Sequence, residues 1–286
     1  MKMICVLTAL LALGTMSMAA EPAAKVVNLE TMVQDARCKQ VLVTCLINGQ
    51  PVRMMLDTGA THTVLHGGSA EKLQGVEWVD TSRMQFKGNS SQRPRLVVGS
   101  LQVNNAFAER HAFLVVNLDA VRGMMAEPID GILGMDVLGS MPFTFDAKNG
   151  KFYWGAPKGA TLLPLYGTRD DAGRMMVQVK VAGKAMELLL DTGSSLTRVY
   201  ADAWKPGKGG AKAARVSDID QAKQQQVVQG KPGDMELVPG VVLSKVTPVF
   251  CSRDDRSMLG MDVLKDVVLV HLPTAGMPFG SFFVAK

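Results

Sequence analysis

Aromatic residues make up only 6% of the 286-residue chain, while glycine is abundant at 28 residues. That balance disfavours a helical bundle and suits a turn-rich β protein. Histidine is scarce too. His62, His66, His111 and His271 share no ligand spacing, and no Cys-x-x-Cys pair accompanies them, so the sequence offers no metal site and calls for no cofactor. Neither sign of charge dominates: the formal net charge is +5. The one locally basic stretch, Lys205 to Arg215, has no interleaved aromatics beyond Trp204 and reads as a solvated loop, which excludes nucleic acid as the expected partner. With 47% hydrophobic and 20% charged residues, wholesale disorder is excluded as well.

Long apolar runs are also missing. The one candidate, Ile4 to Leu13, is too short to span a bilayer as a helix. Preceded by Lys2 and followed by the small-residue sites Ser17-Met18-Ala19 and Met18-Ala19-Ala20, it predicts a signal peptide over residues 1–20 and an exported protein, periplasmic or secreted. Cleavage there removes Cys5 and leaves Cys38, Cys45 and Cys251. Three cysteines cannot all pair internally, so one bridge plus a free thiol and three buried thiols both stay open.

What the chain does have is an internal repeat. Val43-Thr44-Cys45-Leu46-Ile47-Asn48-Gly49 and Arg53-Met54-Met55-Leu56-Asp57-Thr58-Gly59 return as Val177-Gln178-Val179-Lys180-Val181-Ala182-Gly183 and Glu187-Leu188-Leu189-Leu190-Asp191-Thr192-Gly193. Further on, Leu133-Gly134-Met135-Asp136-Val137-Leu138 returns as Leu259-Gly260-Met261-Asp262-Val263-Leu264. The predicted organisation is therefore two homologous lobes, residues 21–156 and 157–286, joined in the Gly/Pro stretch Gly155 to Gly159. Within each copy, short apolar runs bounded by Gly, Asn, Asp and Pro predict strands, and Met135–Ser140 and Met261–Asp266 predict short helices. Two polar passages, 85–95 and 221–234, predict hairpin tips.

One Asp-Thr-Gly is ordinarily a β-turn. Two of them, each after an apolar strand and each followed by an apolar-apolar-Gly element, predict one shared site. The strand delivers a carboxylate to the edge of a core. The Thr hydroxyl is expected to bond locally, and Gly allows a tight turn and a close approach. Packed about a pseudo-twofold axis, the turns bring Asp57 and Asp191 together, and two adjoining carboxylates share a proton. One then activates water as general base while the other, protonated, polarises a carbonyl.

This pattern resembles the aspartic proteases of the pepsin and retroviral-protease superfamily. Asp57-Thr58-Gly59-Ala60-Thr61-His62-Thr63 and Gly131-Ile132-Leu133-Gly134 are similar to the retroviral type, and Asp191-Thr192-Gly193-Ser194-Ser195 to the pepsin type. The resemblance implies an all-β, bilobal acid-protease fold and a monomer that cleaves protein or peptide substrates. It assigns catalysis to Asp57 and Asp191, and turn support to Thr58, Gly59, Thr192, Gly193 and Ser194. It further places substrate contacts at Ala60 and His62 and at a flap containing Phe86, Lys87 and Gly88. Thr63 and Thr197 are expected to carry buried hydroxyls. Because Ser194 can donate a hydrogen bond where Ala60 cannot, Asp191 is expected to carry the charge more often than Asp57. The alternative is a catalytically inactive peptide-binding protein using the same cleft.

Overall fold

The Asn48-Gly49 pair, both with positive φ, makes the two-residue turn that folds Val41–Ile47 back on Gln50–Leu56. In the second copy Gly183 (φ +78°) sits in the turn between Met175–Val181 and Lys184–Leu190. Met175–Val181 shows period-two burial, with the side chains of Val177, Val179 and Val181 pointing inward and those of Gln178 and Lys180 outward, while Gln50–Leu56 and Lys184–Leu190 each end in three consecutive buried residues. The computed structural model describes residues 19–20, 32–81, 95–181, 183–200, 214–218, 221–230, 232–251 and 257–286. Of the expected signal segment only Ala19–Ala20 falls among them, as a short strand beside Ala106–Phe107. Phe86, Lys87 and Gly88 lie outside the described residues.

Half of the structure is strand, and the helices described are single turns. In the first lobe six strands close a barrel, in the order 106–116, 64–66, 131–133, 50–56, 41–47 and 95–103, with the last pairing back on the first. The second lobe repeats this order but stays a half-barrel. The cause is local. Where the first lobe has the continuous strands Arg95–Val103 and Ala106–Val116, the second breaks both, at Pro232 between Gln221–Gln229 and Gly233–Val238, and at Pro248 between Val241–Val246 and Val249–Cys251. Proline has no N–H to give to a ladder.

A third sheet joins the copies. Phe143–Asp146 from the first pairs with Val268–Leu272 from the second, flanked by Lys151–Trp154 on one side and by Ser281–Ala285 and Leu162–Pro164 on the other. Phe143 anchors it, stacked on His271 at 4.9 Å and packed edge-on against Phe282. His271 is fully buried between the carbonyls of Met141 and Phe279, and burial holds its pKa down. The core runs without interruption from Val43 and Leu56 through Phe143 and Phe282 to Leu190 and Leu259. The architecture is thus all-β and two-lobed, as the repeat predicts.

The polar passage 221–234 is a different matter. Its first nine residues form a strand, Gln221–Gln229, paired antiparallel with Ala214–Asp218, so they are one arm of a strand pair and not a hairpin tip. Gln221–Gln229 runs on to pair with the start of Val249–Cys251, and those ladder bonds keep it extended. Ala214–Asp218 comes within 8 Å, Cα to Cα, of the first-lobe helix Asp119–Arg122.

Candidate active site

Leu56 and Leu190 end two strands that each run parallel to the apolar-apolar-Gly element of their own copy: Gln50–Leu56 beside Gly131–Leu133, and Lys184–Leu190 beside Met258–Leu259. The amide of the next residue closes each ladder, Asp57 to the Leu133 carbonyl and Asp191 to the Leu259 carbonyl, both at 3.1 Å. Asp57 and Asp191 therefore leave their sheets at equivalent points and meet.

The fit is close. A Cβ placed on Gly59 would lie 2.7 Å from the Asp191 carboxyl carbon, and one on Gly193 would lie 2.4 Å from that of Asp57. Only glycine at both positions lets each carboxylate lie against the opposite turn. The threonines do not bond locally as expected. Thr58 Oγ1 donates to the Leu190 carbonyl (2.8 Å) and accepts from the Thr192 amide (3.1 Å), while Thr192 Oγ1 donates to the Leu56 carbonyl (2.9 Å) and accepts from the Thr58 amide (3.0 Å). All four bonds cross from one lobe to the other. The turns cannot satisfy these buried backbone groups themselves, so the partner lobe does.

Behind the turns, Thr63 and Thr197 carry buried hydroxyls as the resemblance implies, and their acceptors are two residues that reasoning from sequence left without a role. Thr63 Oγ1 donates to Asp136 Oδ1 at 2.7 Å, and Thr197 Oγ1 to Asp262 Oδ1 at 2.6 Å. The same hydroxyls accept the amides of Gly134 and Gly260, both at 3.1 Å. The helices Met135–Leu138 and Met261–Leu264 dock on the turns through Met135 N–H to the Ala60 carbonyl and Met261 N–H to the Ser194 carbonyl. The signal was on the page: both aspartates lie inside the repeated Leu-Gly-Met-Asp-Val-Leu. Asp136→Ala removes the acceptor of the fully buried Thr63 hydroxyl and amide, and is expected to cost about 2–4 kcal/mol in urea unfolding. Asp119→Ala, at a largely exposed carboxylate, is expected to cost well under 1 kcal/mol.

Electrostatically the pair is uneven. Asp57 Oδ1 accepts two amides, Gly59 at 2.8 Å and Ala60 at 3.0 Å, whereas Asp191 Oδ1 is inaccessible to solvent and has no hydrogen-bond partner. Burial raises the pKa of both. Asp57 is restrained by the Gly59 amide, the hydrogen bond from Asp191, the Ala60 amide and the charge of Arg174. Asp191 is driven well above the usual carboxylate range by burial and by the Asp57 charge, against a weaker pull from the Gly193 amide and Arg198. Asp191 is thus the member held further above the usual carboxylate range. This reverses the sequence-based expectation, and the reason is visible: Ser194 Oγ donates to the Leu196 carbonyl (2.9 Å), not to the dyad.

Of the other expected contacts, Ala60 lies on an apolar patch built from Leu118, Val121, Met125 and Ile132. His62 is partly buried, with Nδ1 within 2.8 Å of Thr61 Oγ1. His111 packs edge-on against Phe113 with Nε2 at 3.6 Å from Asp136, behind the turn and away from the dyad, and burial lowers its pKa. Cys38 and Cys45 are free thiols whose pKa values burial pushes up to about 12.

An all-β, two-lobed protein with one carboxylate from each lobe meeting on a shared seam is the class that this fold and site define. Residues 43–137, about a third of the chain, match the family model described as aspartyl protease. The match takes in the first Asp-Thr-Gly turn and stops short of the second. No curated protein matches the chain.

Proposed function

We propose that the protein is an aspartic endopeptidase in which Asp57 and Asp191 activate one water molecule against a peptide carbonyl. The observation that carries this reading is the unequal carboxylate pair, one oxygen cradled by two amides and its counterpart buried without a partner. Asp57, ionised, takes a proton from the water. Asp191, protonated, donates to the carbonyl oxygen as it gains charge. The tetrahedral diol then collapses: the C–N bond breaks, the leaving amine takes the proton from Asp57, a diol hydroxyl returns its proton to Asp191 as the product carboxyl forms, and the dyad is back in its starting state. In this reading the paired second-lobe strands Ala214–Asp218 and Gln221–Gln229 serve as the flap that excludes water; the approach of Ala214–Asp218 to Asp119–Arg122 supports it. Working as an exported monomer needs no partner subunit, because both aspartates come from one chain.

Activity needs Asp57 ionised and Asp191 protonated. Asp57 is raised from 3.8, so the acid limb of the pH profile is expected above that value, with activity lost as pH falls through it. Asp191 is raised much further, so activity is lost again only where its proton finally leaves. Incubating the mature protein with a denatured protein substrate between pH 3 and 8 is expected to give cleavage with this bell shape, blocked by a statine-type peptide that mimics the diol. Absence of cleavage across that range, together with no binding of the statine peptide, would overturn the reading.

A further inference from the structure

Two further side chains touch the turns, and the repeat aligns them. Gln40 precedes Asp57 by the same interval as Arg174 precedes Asp191. Each sits just before the first strand of the repeat in its lobe, Val41–Ile47 or Met175–Val181, and crosses the seam: Arg174 Nη1 donates to the Gly59 carbonyl at 3.2 Å, and Gln40 Nε2 donates to the Gly193 carbonyl. Both are buried. Geometrically they are counterparts, yet one is a cation and the other a neutral amide.

We infer that this mismatch, Arg174 against Gln40, is what assigns the proton within the dyad, making Arg174 a positioning residue that keeps the charge on Asp57. The route is short. The Gly59 carbonyl belongs to the same peptide group as the Ala60 N–H, and that N–H donates to Asp57 Oδ1. A guanidinium on the carbonyl polarises the peptide and strengthens the N–H as a donor, and its own positive charge favours the ionised form of Asp57. Arg174 is held for this by Asp170, which takes Nε at 2.9 Å and Nη2 at 2.6 Å and also accepts the Arg174 amide. Gln40 has no such anchor: its Oε1 is buried without a partner.

The other charged groups around the pair do not supply the bias. Asp170 is neutralised by its bond to Arg174 and stands beside Arg169, whose guanidinium reaches the Gly280 carbonyl. Arg198, where the first lobe has Val64, acts on Asp191 in the opposite sense through its charge, while Arg174 also donates to the Gly59 peptide that holds Asp57. His62 and His111 lie on the Asp136 side of the first turn.

The inference rests on the proposed dyad, so its test must not depend on turnover. Carboxyl-¹³C aspartate is incorporated, and Asp57 and Asp191 are assigned with the Asp57→Asn and Asp191→Asn variants and followed by NMR from pH 3 to 8. In the native chain the first ionisation is expected at Asp57. Arg174→Gln is expected to spread that first step over both carboxyls and, where turnover is measured, to move the acid limb up by roughly half a pH unit or more. Arg174→Lys should restore the native order in part. The exchange Gln40→Arg with Arg174→Gln should bring the first step to Asp191. If Arg174→Gln does not fold, Gln40→Arg alone still decides, because a second cation should even out the two carboxyls. A first step that stays on Asp57 in every one of these variants overturns the inference, whether or not the chain cleaves peptides. Failure of cleavage with the expected NMR order sinks only the proposed activity.

Discussion

Asp191→Asn is expected to remove peptide hydrolysis, by a factor of roughly 10³ or more, and at neutral pH to make the protein harder to unfold. The two effects have one cause. In the folded protein Asp191 is held protonated well above the range of a free carboxyl, by burial first and by the Asp57 charge second. Unfolding returns it to an ordinary value near 3.8. Between those two values the folded state binds a proton that the unfolded state does not, so stability is greatest below the unfolded value and falls as pH rises through the folded one. Each unit of that displacement is worth about 1.4 kcal/mol. Asparagine has no proton to lose and escapes the penalty, so a gain of a few degrees in Tm is expected at pH 7. At pH 3, where Asp191 is neutral in both states, the gain should vanish. Asp57→Asn should abolish activity equally but stabilise less, because Asp57 is raised less and its Oδ1 already has two amide donors. The measurement is a pair of melting curves at pH 3 and pH 7 beside a cleavage assay. A variant as active as the native chain, or one destabilised at pH 7, contradicts the dyad.

The repeat was the most legible feature of the sequence, and it carried the fold a long way. Strands with period-two burial, the Asn48-Gly49 turn and the meeting of two Asp-Thr-Gly segments all follow from local pattern and one symmetry argument. What symmetry could not show is where the copies differ in partner. Thr58 and Thr192 bond across the seam because the buried carbonyls of Leu190 and Leu56 need donors, and no local rule names a partner more than 130 residues away. Asp136 and Asp262 were visible as letters in a repeated motif, but their function as acceptors needs the helix Met135–Leu138 folded under the turn. Gln40 and Arg174 share a register yet differ in chemistry, so comparison of the copies by residue type passes over them. Ser194 misled for the opposite reason: its hydroxyl has a nearer acceptor, the Leu196 carbonyl two residues on, and a short Ser side chain takes the local bond.

Thr58→Val is expected to be among the most damaging single changes in the molecule, although it preserves shape. Valine fills the same volume but leaves the Leu190 carbonyl without a donor and the Thr192 amide without an acceptor, both buried. Each unpaired group costs about 1–3 kcal/mol, giving on the order of 2–6 kcal/mol for the pair. Thr192→Val should cost a similar amount through the Leu56 carbonyl and the Thr58 amide. The double variant should cost less than the sum, because once one pair of bonds is gone the turns can part and water can reach the other pair. Activity should fall further than stability implies. The four bonds fix the spacing of the turns, and with it the contact of each carboxylate with the opposite glycine. A displacement of about 1 Å at such a site costs on the order of 10²-fold in rate. Thr58→Ser retains the hydroxyl and should keep most of both properties, while Thr168→Val, at an exposed threonine, serves as the neutral control. Urea unfolding of the five variants, with kcat where the protein stays folded, separates the outcomes. If Thr58→Val unfolds like Thr168→Val, the hydroxyls do not clamp the lobes, and the spacing of the dyad must be set by the sheet through Phe143 and Val268–Leu272 instead.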